Sequence, residues 1–399
     1  MKRVLIVGAG SGGTIAANTL SAQLKKEIKR NEVEITVLDD RGKHIYQPGY
    51  LHVAFKGADP EKIVKDEHEL LNPAVNFQID AARHIDLNER EIKTEKGKTL
   101  SYDYLILSTG CRTNPDLIPG LSGENYDFHT SPEASYRTWK AISEFKGGDI
   151  VMGITTLPHM CPPSPNESVF LADEFFRKKG IRDRVDITFI TPYPRVYPAE
   201  AISECIEPLF EERDIRVETF FNIDSIDPEA GKIFSMEGDE IDYDLISLIP
   251  PHEGSPVIFD SEIGDEEGWI EADRFTMLVQ NFDDAFAIGD CTAIPISKSG
   301  VVAHLQAHTV SATIADGIRG IGGVYRYNGR INCPLEIGDG KCTFVVSDYE
   351  EPIKKIEPSR IGYLQKWMIG KGYWKMLKGG LDIPMKFYFG ETCCKQQEY

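Results

Sequence analysis

Cys161 lies in "TTLPHMCPPSPNESVF" (155–170), directly ahead of a stretch with the apolar spacing of a helix. A thiol there can serve as a nucleophile or redox group, or simply as a small buried apolar residue. Ser164-Pro165-Asn166-Glu167 reads as a capping box, with Ser164 at the N-cap, proline at the first helical position and Glu167 at the third. Cys161 would then sit just before a helix N-terminus, whose positive dipole end favours thiolate. If the chemistry is redox, a second sulfur is needed. Cys333 in "RINCPLEIGDGKCTFV" is also followed by proline, whereas Cys342 in "KCTFVV" reads as core.

A second chemical signal opens the chain. "KRVLIVGAGSGG" is a short apolar strand running into G-x-G-x-x-G, with Gly8, Gly10 and Gly13. A helical stretch and a second strand, "VEITVLDD", follow, which is the context a dinucleotide fingerprint requires. Gly8 permits the tight turn, Gly10 admits a pyrophosphate to the backbone, and Gly13 lets helix and strand pack closely. Asp39 is the expected ribose acceptor, with Asp40 the neighbouring alternative. The same strand–turn–helix–strand order recurs in "GDIVMGI", "NESVFLADEFFRKKG" and "RVDITFIT". Of the three glycines a fingerprint needs only Gly153 remains, and the turn, "TTLPHMCPPSP", is filled with prolines, which have no N–H to offer a phosphate. No second nucleotide is expected there, so this unit is turned to another use.

These signals sit in a chain of 399 residues, enough for two to three domains, with 41% hydrophobic residues and a net charge of −19. That charge argues against nucleic acid as a partner. No apolar run is long enough to span a bilayer, and "MKRVLIVGAG" has no export signal, so a cytoplasmic protein is expected. The eight cysteines are too sparse for a disulfide scaffold and lack the clusters of structural zinc. His304 and His308 are spaced i, i+4 with no third ligand, so no metal is expected.

Two further motifs bring in a resemblance. "YDYLILSTG" ends in Thr109-Gly110 and "NFDDAFAIGDCTAIPISKSG" contains Gly289-Asp290; both resemble the segments with which two-dinucleotide-domain flavoproteins close around FAD. The likeness implies that Asp290, which could otherwise be a turn cap, and Lys298 are cofactor-side residues. It also implies a helix at about 300–319 whose N-terminus faces the flavin. Together with "HIYQPGYLHVA" (44–54), "CPPSPNE" and "CPLEIGDG", the chain resembles the sulfide:quinone oxidoreductase and flavocytochrome c sulfide dehydrogenase family over nearly its whole length. That resemblance implies a Cys161–Cys333 redox pair at the flavin and an acid/base role for Glu167, beside its capping role. Hydrosulfide would open the oxidised pair, leaving a persulfide, and two electrons would pass to FAD. The chain departs from the family where many members carry a third cysteine: "ENYDFHTSPEAS" offers His129 instead. "HIYQPGYLHVAF" has no cysteine for a covalent link, so FAD is expected to be noncovalent. Cys111 should lie near the nucleotide, and Cys291 in packing.

Residues 353–379 carry seven Lys or Arg against one Glu, interleaved with Trp367, Trp374, Tyr363 and Tyr373. Such a mixture suits a segment docking on anionic headgroups, or else a C-terminal helix with a solvated basic face. Its glycines predict two short helices, "IPMKFYFG" could deepen the docking, and "ETCCKQQEY" reads as a loose tail. The expected architecture is α/β: two tandem Rossmann-like domains plus a C-terminal flavin-covering, membrane-docking region. The FAD domain would span 1–111 and 250–325, the second domain 112–249, and the C-terminal region 326–399. The expected partners are sulfide, a membrane quinone and, through 353–379, the membrane surface; a homo-oligomer, peripheral on the cell membrane, is expected. A cytochrome acceptor, a type II NADH:quinone oxidoreductase and a non-catalytic flavin-binding subunit are the alternatives.

Overall fold

The computed structural model describes residues 1–123, 125–379 and the backbone of 393–396. Strand β1 (Lys2–Val7) is buried over Val4–Val7, as an apolar run covered on both faces must be. It leads through the glycine turn into helix α1 (Ser11–Gln23), then strand β2 (Val33–Asp39), helix α2 (Tyr50–Lys56), strand β3 (Asn76–Ile79) and strand β4 (Tyr104–Leu107). The second unit runs from β5 (Gly148–Ile154) through α3 (Ser164–Lys179) to β6 (Val185–Ile190), β7 (Ile215–Glu218) and β8 (Leu245–Ile249). The chain then adds β9 (Ala285–Ala287), helix α4 (Gly300–Ile318), the hairpin β10 (Ile331–Glu336) and β11 (Cys342–Ser347), and helix α5 (Arg360–Leu377).

Two parallel sheets organise these elements. The first has the order β9-β4-β1-β2-β3 and the second β7-β6-β5-β8. The late strand β9 thus completes the sheet begun by β1, through a partner, β4, that ends at "STG". Parallel strands put their carboxyl ends on one edge, and that edge is where ligands bind in such sheets. The two Rossmann-like sheets agree with the expected fold class.

Two expectations for the C-terminal region fail. Instead of two short helices, Arg360–Leu377 is one helix, N-capped by Ser359 Oγ accepting from Gly362 N–H at 3.0 Å. Its glycines are sites of close approach rather than breaks. A methyl group at Gly362 would lie 2.3 Å from the Cys342 carbonyl oxygen, and one at Gly370 would lie 3.0 Å from the Tyr46 hydroxyl. Tertiary packing therefore outweighs the helix propensity that glycine lacks. The tail is not loose throughout either: Cys393–Gln396 pairs antiparallel with Val324–Tyr327. The segment "IPMKFYFG" lies outside the described residues.

Candidate active site

Four neighbouring strands of the first sheet deliver the expected cofactor residues to one edge. β1 runs on to Gly8, β2 ends at Asp39, β4 runs on to Thr109-Gly110, and β9 runs on to Gly289-Asp290. Gly8 has φ +96°, and a methyl group on it would meet the Ser108 carbonyl oxygen at 2.3 Å. One on Gly13 would lie 1.9 Å from the Gly8 oxygen, so helix and strand touch only because both are glycine. Gly10 and Gly110 differ: a methyl group on either would meet no protein atom within 4 Å. That open face of the turn is what a pyrophosphate needs. The Asp39 carboxylate accepts from Ala9 N–H at 2.9 Å and from the N–H groups of Arg41 and Gly42, bracing the turn, while Asp40 points to solvent. Asp290 Oδ1 is buried without a hydrogen-bond partner among the described residues, and burial pushes its carboxyl pKa up. An orphaned buried carboxylate oxygen, open glycine faces and two helix N-termini at one sheet edge fit a dinucleotide. Lys298 Nζ is tied down elsewhere, donating to the carbonyls of Asp290 and Thr292 at 2.9 and 2.7 Å and lying over the Trp269 ring.

The sulfur residues gather around the loop that enters α4. Cys161 N–H donates to the Lys298 carbonyl at 2.7 Å. Cys333 Sγ lies 3.5 Å from Ser299 Oγ and 4.0 Å from Ser297 Oγ. Both thiols are free, and the charge each would carry bears on the buried Tyr197. Residues 172 positions apart in sequence are thus brought to one place by a three-residue stretch, 297–299. Cys161 has φ +54°, a left-handed conformation that costs a non-glycine residue about 1 kcal/mol or more and clusters at functional sites.

The expected ease of ionisation at Cys161 is not what the surroundings give. Burial pushes its pKa up strongly, and the negative charges of Glu167 and Cys333 push it further. Burial raises Cys333 as well. A Ser164 side-chain hydrogen bond and the Lys366 charge pull the Cys161 pKa the other way without prevailing, and the first N–H of α3, on Ser164, donates to the Cys161 carbonyl at 2.9 Å. Ser164 Oγ also donates to that carbonyl at 2.8 Å, so it accepts from His129 Nε2–H at 2.8 Å. Burial drives the His129 pKa down, leaving a neutral imidazole that braces the cysteine loop.

The capping box is also displaced. Helix α3 begins at Ser164 with Pro163 as its cap and no side-chain capping bond. Glu167 is therefore freed from capping. Its Oε1 accepts from Glu336 N–H at 2.8 Å and from Lys366 Nζ at 2.5 Å. Lys366 also reaches Glu336 Oε2 at 2.9 Å, and Glu336 is bonded in turn to Lys56 and, at 3.2 Å, to His52. Burial opposes ionisation of Glu336, but the His52 hydrogen bond and the Lys366 and Lys56 charges hold its carboxyl well below the usual range. Lys366, grouped by sequence with a headgroup-facing segment, has a side chain only 14% exposed and belongs to this buried network. Nothing in the spacing of Lys366 marks it among the other lysines of 353–379. Glu336 could have been noticed as a carboxylate within "CPLE", three residues after Cys333.

Cys291 is fully buried, its Sγ donating to the carbonyls of Leu107 and Ile288, and Cys111 lies within the influence of Asp290 and Lys298. His304 and His308 stand 3.0 Å apart between Nε2 atoms, and no group of three potential ligands able to hold a metal occurs among the described residues.

The architecture and its nucleotide edge define the class: an α/β protein with two Rossmann-like sheets, the first of them fitted to a dinucleotide. The family model of the pyridine nucleotide-disulphide oxidoreductases matches residues 2–144. The mitochondrial sulfide:quinone oxidoreductase of Mus musculus is 26% identical, covering 94% of this chain and 86% of its own length. Its counterpart in Dictyostelium discoideum is 27% identical over the same shares. The crystal structure of the sulfide:quinone oxidoreductase of Aquifex aeolicus superposes with a TM-score of 0.87 at 21% identity, covering 100% of this chain and 98% of that one. The chain is a relative of the sulfide:quinone oxidoreductases across nearly its whole length, as its motifs implied.

Proposed function

We propose that the protein oxidises sulfide to zero-valent sulfur or polysulfide through Cys161 and Cys333, and that a membrane quinone receives the electrons. The observation that carries this reading is the meeting of Cys161, from the turn where the second sheet would otherwise grip a nucleotide, with Cys333 around residues 297–299, with the Glu167 charge bearing on both. FAD, which Gly8, Gly10, Gly13, Asp39, Thr109, Gly110, Gly289 and Asp290 would hold noncovalently, with Lys298 bracing the carbonyls of Asp290 and Thr292, would supply the two-electron acceptor that restores the oxidised pair.

Hydrosulfide attacks one sulfur of the oxidised Cys161–Cys333 pair. The disulfide bond breaks, a new S–S bond forms a persulfide, and the other cysteine leaves as thiolate. The broken disulfide is the oxidant of this step, taking up two electrons as the incoming sulfur rises from −2 to zero-valent sulfane sulfur, and the hydrosulfide proton is taken up by a base. Glu167 is placed for that task, since its carboxylate is held next to Cys161 by Lys366. A dry site that raises both thiol pKa values disfavours two thiolates together, so the pair cycles between the neutral disulfide and a state with one anion.

The exposed side of α5 suits docking on a lipid surface, from which a quinone is drawn. Ile361, Leu364, Trp367 and Met368 are 72%, 52%, 52% and 51% exposed, with Lys371 beside Trp367. No described helix is long and apolar enough to cross a membrane.

The test is to mix the purified protein anaerobically with sulfide and, separately, with NADH while following flavin absorbance. Bleaching by sulfide that disappears in Cys161→Ser or Cys333→Ser is expected. Bleaching by NADH alone would sink the proposal in favour of an NADH:quinone oxidoreductase.

A further inference from the structure

The sulfur chemistry leaves one buried polar chain unused. His44 lies between the fully buried Glu67 and Tyr373 of α5, with Nδ1 2.9 Å from Glu67 Oε2 and Nε2 2.7 Å from the Tyr373 hydroxyl. Thr14 donates to the other Glu67 oxygen at 2.6 Å. The Tyr373 hydroxyl continues to Ser11 Oγ at 2.8 Å. Ser11 is the first residue of α1, directly after Gly10, and a methyl group on Gly300 would lie 3.6 Å from its Oγ. Its hydroxyl therefore stands between the N-termini of α1 and α4. That is the corner where unpaired backbone N–H groups favour a pyrophosphate.

A second tie joins the same helices. Asn18 of α1 donates to the Leu377 carbonyl at 2.6 Å and to the Leu70 carbonyl at 2.9 Å. Helix α5 is thus fastened to the nucleotide helix by its last turn, where Met376 and Leu377 are buried, while Ile361, Leu364, Trp367 and Met368 nearer its start are exposed. Packing alone would be served by phenylalanine at 373, whose ring would keep the 4.5 Å contact with Tyr46. What the hydroxyl adds is a fixed Ser11. A buried polar chain carries a cost for each member left unpaired, so this one specifies a single arrangement.

We propose that Tyr373 is a positioning residue for FAD: held by His44 and Glu67, it orients the Ser11 hydroxyl at the pyrophosphate turn, so that the C-terminal helix takes part in retaining the cofactor. The inference rests on the assignment of FAD to the first turn.

The test is the rate at which FAD leaves the purified holoprotein on dilution, read as a gain in flavin fluorescence. It is measured for the wild type, Tyr373→Phe, Ser11→Ala and the double variant. Each single change is expected to speed release about three- to ten-fold, the worth of one hydrogen bond. The double variant should release FAD no faster than the singles, because both break one chain. Unchanged release in Tyr373→Phe overturns the proposal, and so does a double variant whose effect is the product of the two singles. Melting of the FAD-stripped proteins separates folding from cofactor retention: equal midpoints with faster release are expected. A Tyr373→Phe apoprotein destabilised as much as its holoprotein means that the hydroxyl serves the fold alone. A wild type that neither contains nor takes up FAD would sink the FAD assignment itself.

Discussion

The turns after β1 and β5 occupy equivalent places in two parallel sheets, yet they do different things. Three residues, 8–10, separate β1 from α1, whereas nine, 155–163, separate β5 from α3, and three of the nine are prolines. The first turn keeps its glycine faces open and braces itself through Asp39. The second spends its helix N-terminus on its own Cys161 carbonyl, takes a histidine as a brace, and turns a thiol toward Cys333. A shared scaffold thus offers a helix N-terminus at a sheet edge, and the length and composition of the turn decide what that edge can hold.

The sharpest way to break this contrast is at the sulfur. Cys161→Ser or Cys333→Ser should slow sulfide-driven flavin reduction by on the order of 10⁴ or more, because a covalent step is lost. FAD content should not change, and stopped-flow absorbance reads both. Comparable reduction rates in wild type and variants would remove the distinction between the turns.

Next in size is the buried network that holds Glu167. Lys366→Met strips two buried carboxylates of their shared cation and should cost about 3–5 kcal/mol of stability, measured by urea unfolding at neutral pH. The pH dependence has a definite sign. Glu336 has a pKa lowered from 4.5, so its contribution is complete above that value and is lost as pH falls through the folded-state pKa. The acid-side loss of stability should be shallower in Lys366→Met than in the wild type. If the two curves run parallel, Lys366 does not hold Glu336 ionised.

The glycines sharpen the comparison at smaller scale. Gly10→Ala meets no protein atom, so the apoprotein should melt within about 0.5 kcal/mol of wild type while FAD binds at least about ten-fold more weakly. Gly153→Ala should do the reverse. At φ +144°, its added methyl would lie 2.0 Å from the Ile190 oxygen, so folding suffers by roughly 1–3 kcal/mol without a direct effect on FAD. Equal FAD losses in both variants would mean that the second turn still serves a nucleotide. Smallest in its effect on folding, Trp367→Glu should leave the melt within about 0.5 kcal/mol yet reduce binding to anionic vesicles in a flotation assay. Undiminished flotation would exclude the exposed side of α5 as the docking face.

Much of this was legible in the chain because it is local. Gly8, Gly10 and Gly13 are read within one turn, and the alternation of apolar runs with helical spacing places the strands of both sheets. The prolines around Cys161 remove backbone N–H groups with which a phosphate would be gripped there. Other readings failed for the opposite reason. Gly362 and Gly370 look like helix breaks until the Cys342 carbonyl and the Tyr46 hydroxyl are seen against them. Ser164 and Glu167 match a capping box by spacing, but Glu336 N–H and Lys366, far along the chain, compete for the carboxylate and win.

By itself the sequence determined the class of fold, the identity of the nucleotide turn and the unusual character of the Cys161 turn, since each follows from backbone sterics and hydrogen-bonding capacity over a few residues. Only the tertiary structure decided that Cys333 joins Cys161 at residues 297–299, that Lys366 faces inward between Glu167 and Glu336, and that Tyr373 reaches Ser11. Those outcomes depend on burial and charge pairing between segments that are distant in sequence, where removal from water makes each unpaired polar group costly and so selects the partner.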